Sequence, residues 1–107
     1  MTSLDEKTKE KIQQTISDHS ILLFMKGDKQ QPQCGFSAQV VQILNSYEVD
    51  YHTVNVLEDW DIREGIKEFS QWPTIPQLYV EGKFLGGCDI TMELHRKGEL
   101  KKALVKE

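Results

Sequence analysis

Five consecutive apolar residues, Ile21-Leu22-Leu23-Phe24-Met25, set the tightest limit on what this chain can fold into. The run is short, is bounded by polar residues and has no polar face. As a strand it therefore needs cover on both sides. A central strand over Ser20 to Met25, with helices packed above and below it, meets that need. The flanking patterns supply the helices. Ser3-Leu4-Asp5-Glu6 has the form of a capping box, and Thr8, Ile12 and Ile16 follow Leu4 at a spacing of four, which predicts a first helix ending near Asp18. From about Gly35, the positions Phe36, Val40, Val41, Leu44 and Tyr47 predict a second helix.

Downstream, Tyr51 to Val56 alternates and is rich in β-branched and aromatic residues, which predicts a second strand. Asp59 and Asp61 are candidate caps for a third helix, with Ile62, Ile66 and Phe69 inward and Arg63 and Lys67 one turn apart on another face. In Trp72-Pro73-Thr74-Ile75-Pro76 the two prolines exclude helix and force an extended path into a third strand, Gln77 to Val80. Glu81-Gly82-Lys83 is a turn, and Phe84 to Gly86 returns as a fourth strand. Gly86-Gly87-Cys88-Asp89 leads into a helix with Ile90 and Leu94 inward. Gly98 stops it, and Glu99 to Val105 forms a short last helix. The order α-β-α-β-α-β-β-α-α is an α/β pattern, and 107 residues suit a single domain over 1–107.

Composition narrows the function. A net charge of −4, with basic residues scattered among acids, gives no reason to expect a nucleic-acid surface. No apolar stretch approaches the roughly 18 residues of a membrane span. The first ten residues carry Asp5, Glu6 and Glu10 in place of a basic leader, so no membrane partner is expected and export is not encoded here. Two cysteines, Cys34 and Cys88, in a domain large enough to fold without staples point to a reducing compartment and a reactive thiol.

Cys34 is the thiol best placed for reactivity. It falls where the second helix begins, after the loop marked by Gly27 and Pro32. The first-turn N–H groups of a helix lack intrahelical partners and the helix dipole is positive there, so a thiolate is favoured. Lys26 and Lys29 lie in the same loop and are candidates to strengthen that field. His19, His52 and His95 have no metal-ligand spacing and read as surface or core residues. Trp72 reads as packing beside the proline loop.

Lys26, Gln33 and then Cys34-Gly35-Phe36-Ser37 resemble the active-site loop of the monothiol glutaredoxins, whose signature is Cys-Gly-Phe-Ser. Thr74-Ile75-Pro76 and Gly86-Gly87-Cys88-Asp89 match further segments of that family, and the resemblance spans nearly the whole chain. It implies a thioredoxin-like fold with a four-stranded mixed sheet flanked by helices. Cys34 would be the catalytic residue. Glutathione would be held by Lys26, Arg63 and Lys67 at its glycyl carboxylate, by the backbone of Thr74, Ile75 and Pro76, and by Gly87, Cys88 and Asp89 at its γ-glutamyl end. A cis Ile75-Pro76 bond is implied as well, although ordinary statistics favour trans. Many relatives have Phe where Ile75 stands, a departure expected to alter packing near the thiol.

Taken residue by residue, Arg63 and Lys67 also fit a solvated helix face, and Asp89 a plain N-cap. Cys88 is open to three readings: a packed small hydrophobe, a disulfide with Cys34, or a pair between molecules. Ser37 stands where a dithiol relative has its resolving cysteine, so a partner thiol must complete any exchange. The resemblance implies a homodimer in which the two Cys34 thiolates and two glutathione thiols ligate a [2Fe–2S] cluster. It further implies a BolA-like protein partner and iron–sulfur acceptor proteins. The expected setting is cytoplasmic, in a bacterium, with an organelle matrix after leader removal as the alternative. The alternative is a glutathione-dependent oxidoreductase that removes glutathione from proteins through Cys34.

Overall fold

The computed structural model describes residues 4–105. Helix α1 (Glu6–Asp18) precedes strand β1 (Ile21–Met25), followed by α2 (Gly35–Asn45), β2 (His52–Asn55), α3 (Trp60–Ser70), β3 (Gln77–Val80), β4 (Lys83–Gly86), α4 (Cys88–Arg96) and α5 (Leu100–Leu104). A 3₁₀ turn over Val56–Glu58 joins β2 to α3. The order of elements is the predicted one. Among the described residues the strands form one sheet in the order β2-β1-β3-β4. β1 runs parallel to β2 and antiparallel to β3, and β3 is antiparallel to β4. This is the mixed, helix-flanked sheet of a thioredoxin-like fold.

Residues of β1 alternate between two cores. Ile21, Leu23 and Met25 pack with Val40, Val41 and Leu44 of α2 and with Leu100 and Leu104 of α5. Leu22 and Phe24 pack on the other face with Ile12 and Ile16 of α1 and Ile62 and Ile66 of α3. All five residues of β1 are buried. A run without a polar face thus becomes a strand with no solvated side, while the edge strands β2 and β4 have only four residues each. The hairpin from β3 to β4 turns through Glu81 and Gly82, both at positive φ (52° and 79°), a type I′ geometry whose twist matches the strands.

Three local expectations change, and one is narrowed. Ser3 lies outside the described residues, and the cap of α1 is Asp5, whose side chain accepts the Thr8 N–H at 2.7 Å. Of the two candidate caps for α3, Asp59 is the one used, accepting the Ile62 N–H. Helix α2 ends at Asn45, before Tyr47, and Phe36 points outward with 60% of its surface exposed. In α4 it is Thr91, hydrogen-bonded to the Gly87 carbonyl, that faces the interior, and Ile90 is on the surface. At the end of α4 Gly98 stops the helix, as the sequence anticipated: it takes a positive φ, and the Gly98 and Glu99 N–H groups return to the carbonyls of His95 and Leu94 in a Schellman motif.

Candidate functional site

The strand directions bring three helix N-termini to one end of the sheet. β1, β2 and β4 all run toward that end, and α2, α3 and α4 start from it. β3 runs the other way, so the Thr74-Ile75-Pro76 segment enters the sheet beside them. Cys34 is the N-cap of α2, with extended backbone (φ −151°, ψ 136°) and a partly exposed side chain. Partial burial pushes its thiol up, but the N–H groups of Ser37 and Phe36 outweigh that, helped by the Lys26 ammonium and the Ser37 hydroxyl. The net effect lowers the thiol below its ordinary value. Sγ closes no capping hydrogen bond, yet the first-turn dipoles are near enough to favour the thiolate.

Ser37 is fully buried, and its Oγ accepts the Lys26 N–H at 3.1 Å. The position of a second thiol is therefore filled by a hydroxyl committed to the loop backbone. That loop is tied at several points. Asp28 Oδ1 accepts the N–H groups of Gln30 and Gln31, the Gln33 N–H returns to the Lys26 carbonyl at 2.8 Å, and Gly27 pairs with Pro32 as an isolated bridge. Asn55 Oδ1, at the end of β2, accepts the N–H of Gly27 at 3.0 Å and also that of Leu57. Gly27 sits at φ +88°, and a Cβ there would lie 2.5 Å from the Gln31 carbonyl oxygen. Lys29 does not add to the field at Cys34 as expected: its ammonium bonds the Tyr51 carbonyl at 2.7 Å and lies over the Tyr51 ring.

A cavity of about 420 Å³ opens beside Cys34. It is lined by nine of the ten residues singled out in the sequence: Lys26, Cys34, Lys67, Thr74, Ile75, Pro76, Gly87, Cys88 and Asp89. Arg63, the tenth, is outside the lining, one turn before Lys67 on α3. The Ile75-Pro76 bond is cis, as the resemblance implied. Among the described residues neither the N–H nor the C=O of Ile75 has a hydrogen-bond partner. Asp89 is not the cap of α4; Gly87 is, and the α4 N-terminus with its unpaired N–H groups adjoins the cavity. Gly87 leaves only tight space for a side chain, since a Cβ would meet Trp72 Nε1 at 3.1 Å and the Pro76 carbonyl oxygen at 3.2 Å, and one of them would have to give by a few tenths of an ångström.

Cys88 is a free, buried thiol, with Sγ 3.1 Å from Gln39 Oε1 and 3.6 Å from Met92 Sδ. These contacts match the first of its three readings, a packed small side chain. Burial, then the Asp89 carboxylate and Cys34, push its thiol up. Sequence reasoning missed Phe36, Trp72 and Pro73 as residues that also line the cavity. It missed Asn55, and it missed Gln77, a fully buried amide whose Nε2 donates to the carbonyls of Trp72 and Thr74 and so fixes the proline segment. A polar residue within a strand pattern carried no signal of that task.

The glutaredoxin family pattern matches residues 21–85. An uncharacterized monothiol glutaredoxin ycf64-like protein of Synechocystis is 52% identical over 101 residues, 94% of each chain. Rice monothiol glutaredoxin-S7, chloroplastic, is 50% identical over 95 residues, and there the match spans 89% of this chain but 56% of the relative. Among solved structures, reduced poplar apo GrxS14 is 51% identical with a TM-score of 0.77, covering 88% of this chain and 86% of its own. A buckwheat glutaredoxin–glutathione complex is 26% identical with a TM-score of 0.82, covering 92% and 88%.

Proposed function

This chain belongs to the glutaredoxin family, in its monothiol branch, and we propose that it binds glutathione beside Cys34 and, as a glutathione-ligated homodimer, carries a [2Fe–2S] cluster to acceptor proteins. The observation that carries the reading is a single activated thiol at a helix N-terminus, opening on a cavity, with the neighbouring thiol position closed by the buried Ser37. No disulfide within the loop competes for Cys34. Glutathione suits the cavity chemically. Lys26 and Lys67, with Arg63 one turn away, offer cations for the glycyl carboxylate. The free N–H and C=O of Ile75 offer strand-like pairing to the cysteinyl unit, as an added strand would. The α4 N-terminus suits the γ-glutamyl carboxylate, and Asp89 its ammonium. The buckwheat relative was solved with glutathione bound.

The donor set fits the cluster only as a shared cargo. Such a cluster commonly takes four thiolates. Among the described residues no group of three or more His, Cys, Asp or Glu side chains can hold a metal, and Cys88 is buried and pushed away from the thiolate form. Two chains with two glutathione thiols complete the set. A BolA-like protein in place of one subunit belongs to the same reading through the family.

The lowered Cys34 thiol also favours a second reading, removal of glutathione from proteins. Cys34 as thiolate attacks the glutathionyl sulfur of a protein mixed disulfide and expels the protein thiolate. A second glutathione thiolate then attacks the Cys34-bound glutathionyl sulfur, forming glutathione disulfide and freeing Cys34. Anaerobic reconstitution with iron, sulfide and glutathione, read by absorption and size-exclusion chromatography, separates the two. The carrier reading expects a coloured dimer that is lost in Cys34→Ser and without glutathione. Absence of colour, or colour that survives Cys34→Ser, overturns it and leaves turnover of a glutathionylated protein as the activity to assay.

A further inference from the structure

Arg63 carries a donor that burial cuts off from water and that nothing satisfies. Its Nε is buried without a hydrogen-bond partner among the described residues, and the nearest carboxylate oxygen, Glu64 Oε2, stands 4.0 Å away. That same oxygen receives the Lys67 ammonium at 3.1 Å. Two cations one helical turn apart therefore converge on one carboxylate oxygen, and Lys67 lines the Cys34 cavity. The guanidinium of Arg63 also lies over the indole of Trp60, the first residue of α3, with Cζ 5.5 Å from the ring centroid. Trp60 is 66% exposed, so its ring adds little to the core.

An aromatic face attracts a guanidinium through its π surface and leaves the in-plane N–H fork open for a carboxylate. We infer that Trp60 is a positioning residue, holding the Arg63 guanidinium so that its N–H edge, together with Lys67, receives the glycyl carboxylate of glutathione in the place that Glu64 now fills. This rests on the glutathione reading above. It adds a residue that has no charge and does not line the cavity, and it assigns the unpaired Arg63 Nε a partner that arrives with the ligand.

The test is a titration of the wild-type chain, Trp60→Ala and Trp60→Phe with S-methylglutathione, which cannot form a disulfide, and with its glycyl monoethyl ester. Binding is followed by NMR, where the indole N–H signals of Trp60 and Trp72 report directly. The acid should bind Trp60→Ala about two- to five-fold more weakly than wild type, the range expected for an exposed cation–π contact, with most of the loss restored in Trp60→Phe. The ester should bind wild type and Trp60→Ala alike, because the group that Arg63 would receive is masked. Equal binding of the acid to wild type and Trp60→Ala, or the same loss for acid and ester, overturns the role of Trp60 while leaving the glutathione site standing. A wild-type chain that binds neither compound at millimolar concentration overturns the glutathione reading and this inference with it.

Discussion

Cys34 and Cys88 border one cavity, and their surroundings push the two thiols in opposite directions. Burial raises both. Around Cys34 the N–H groups of Ser37 and Phe36, the Lys26 ammonium and the Ser37 hydroxyl override it; around Cys88 the Asp89 carboxylate and Cys34 add to it. Because alkylation follows the thiolate, iodoacetamide at neutral pH should modify Cys34 and spare Cys88 in the native chain, as peptide mass analysis would show. Lys26→Gln should move the pH midpoint of Cys34 alkylation upward and slow the reaction at pH 7 roughly two- to three-fold. Lys29→Gln should leave both unchanged, since that ammonium is engaged by Tyr51. A midpoint that responds to Lys29 and not to Lys26 would refute the electrostatic account. At this scale the sequence was informative about residue types, since a thiol at a helix start and cations before it can be read locally. It was silent on the direction of Lys29, because a flexible side chain goes to whichever acceptor the fold brings near.

The loop between β1 and α2 holds the thiol because its backbone closes on itself, and Gly27 is the residue that permits this. At φ +88°, with a Cβ meeting Gln31 and Gln33 backbone atoms at 2.5 and 2.6 Å, any side chain is both strained and blocked. Gly27→Ala should cost about 1–3 kcal/mol from the backbone conformation alone, with the clash adding to it. Gly35→Ala, at the first position of α2 with nothing within 4 Å of the new Cβ, should be neutral or stabilise by up to about 1 kcal/mol. Urea unfolding midpoints of the two variants would check the contrast. Gly27 and Pro32 were recognisable as loop residues, but the pairing between them was not. Helix faces were partly misread for a related reason. Successive helical residues differ by about 100° in direction, so an inward face drawn through Ile90 passed over its neighbour Thr91. The packing against the sheet selects Thr91, with its hydroxyl satisfied by the Gly87 carbonyl.

Across the whole molecule, the end of the sheet opposite the thiol carries a contact that links the C-cap of α1 to the edge strand β2. His19 and His52 stack with ring centroids 3.9 Å apart and planes within 6°. Partial burial, then His19 and Lys29, push His52 below its ordinary value near 6.5. The folded state therefore holds fewer protons on His52 than the unfolded chain. Its contribution to stability is complete above the unfolded value and is lost as the pH falls from there through the folded value. Melting temperature should fall between pH 7.5 and 5.5 in the wild type, and His52→Gln should lessen that fall. An equal fall in both would remove His52 as its source. In the sequence these histidines are 33 positions apart and read as unrelated. Composition, hydrophobic period and the Gly and Pro positions determined the elements, their order and the layered α/β class, because those properties act within a few residues along the chain. The motif residues determined the family and the thiol chemistry. Only the tertiary structure decided that Lys26, Cys34, Lys67, Thr74 to Pro76 and Gly87 to Asp89 share one cavity, that Arg63 stands beside it, and that Asn55 and Gln77 brace its walls. Those relations join atoms distant along the chain, and only the packing of both faces of β1 brings them within contact distance.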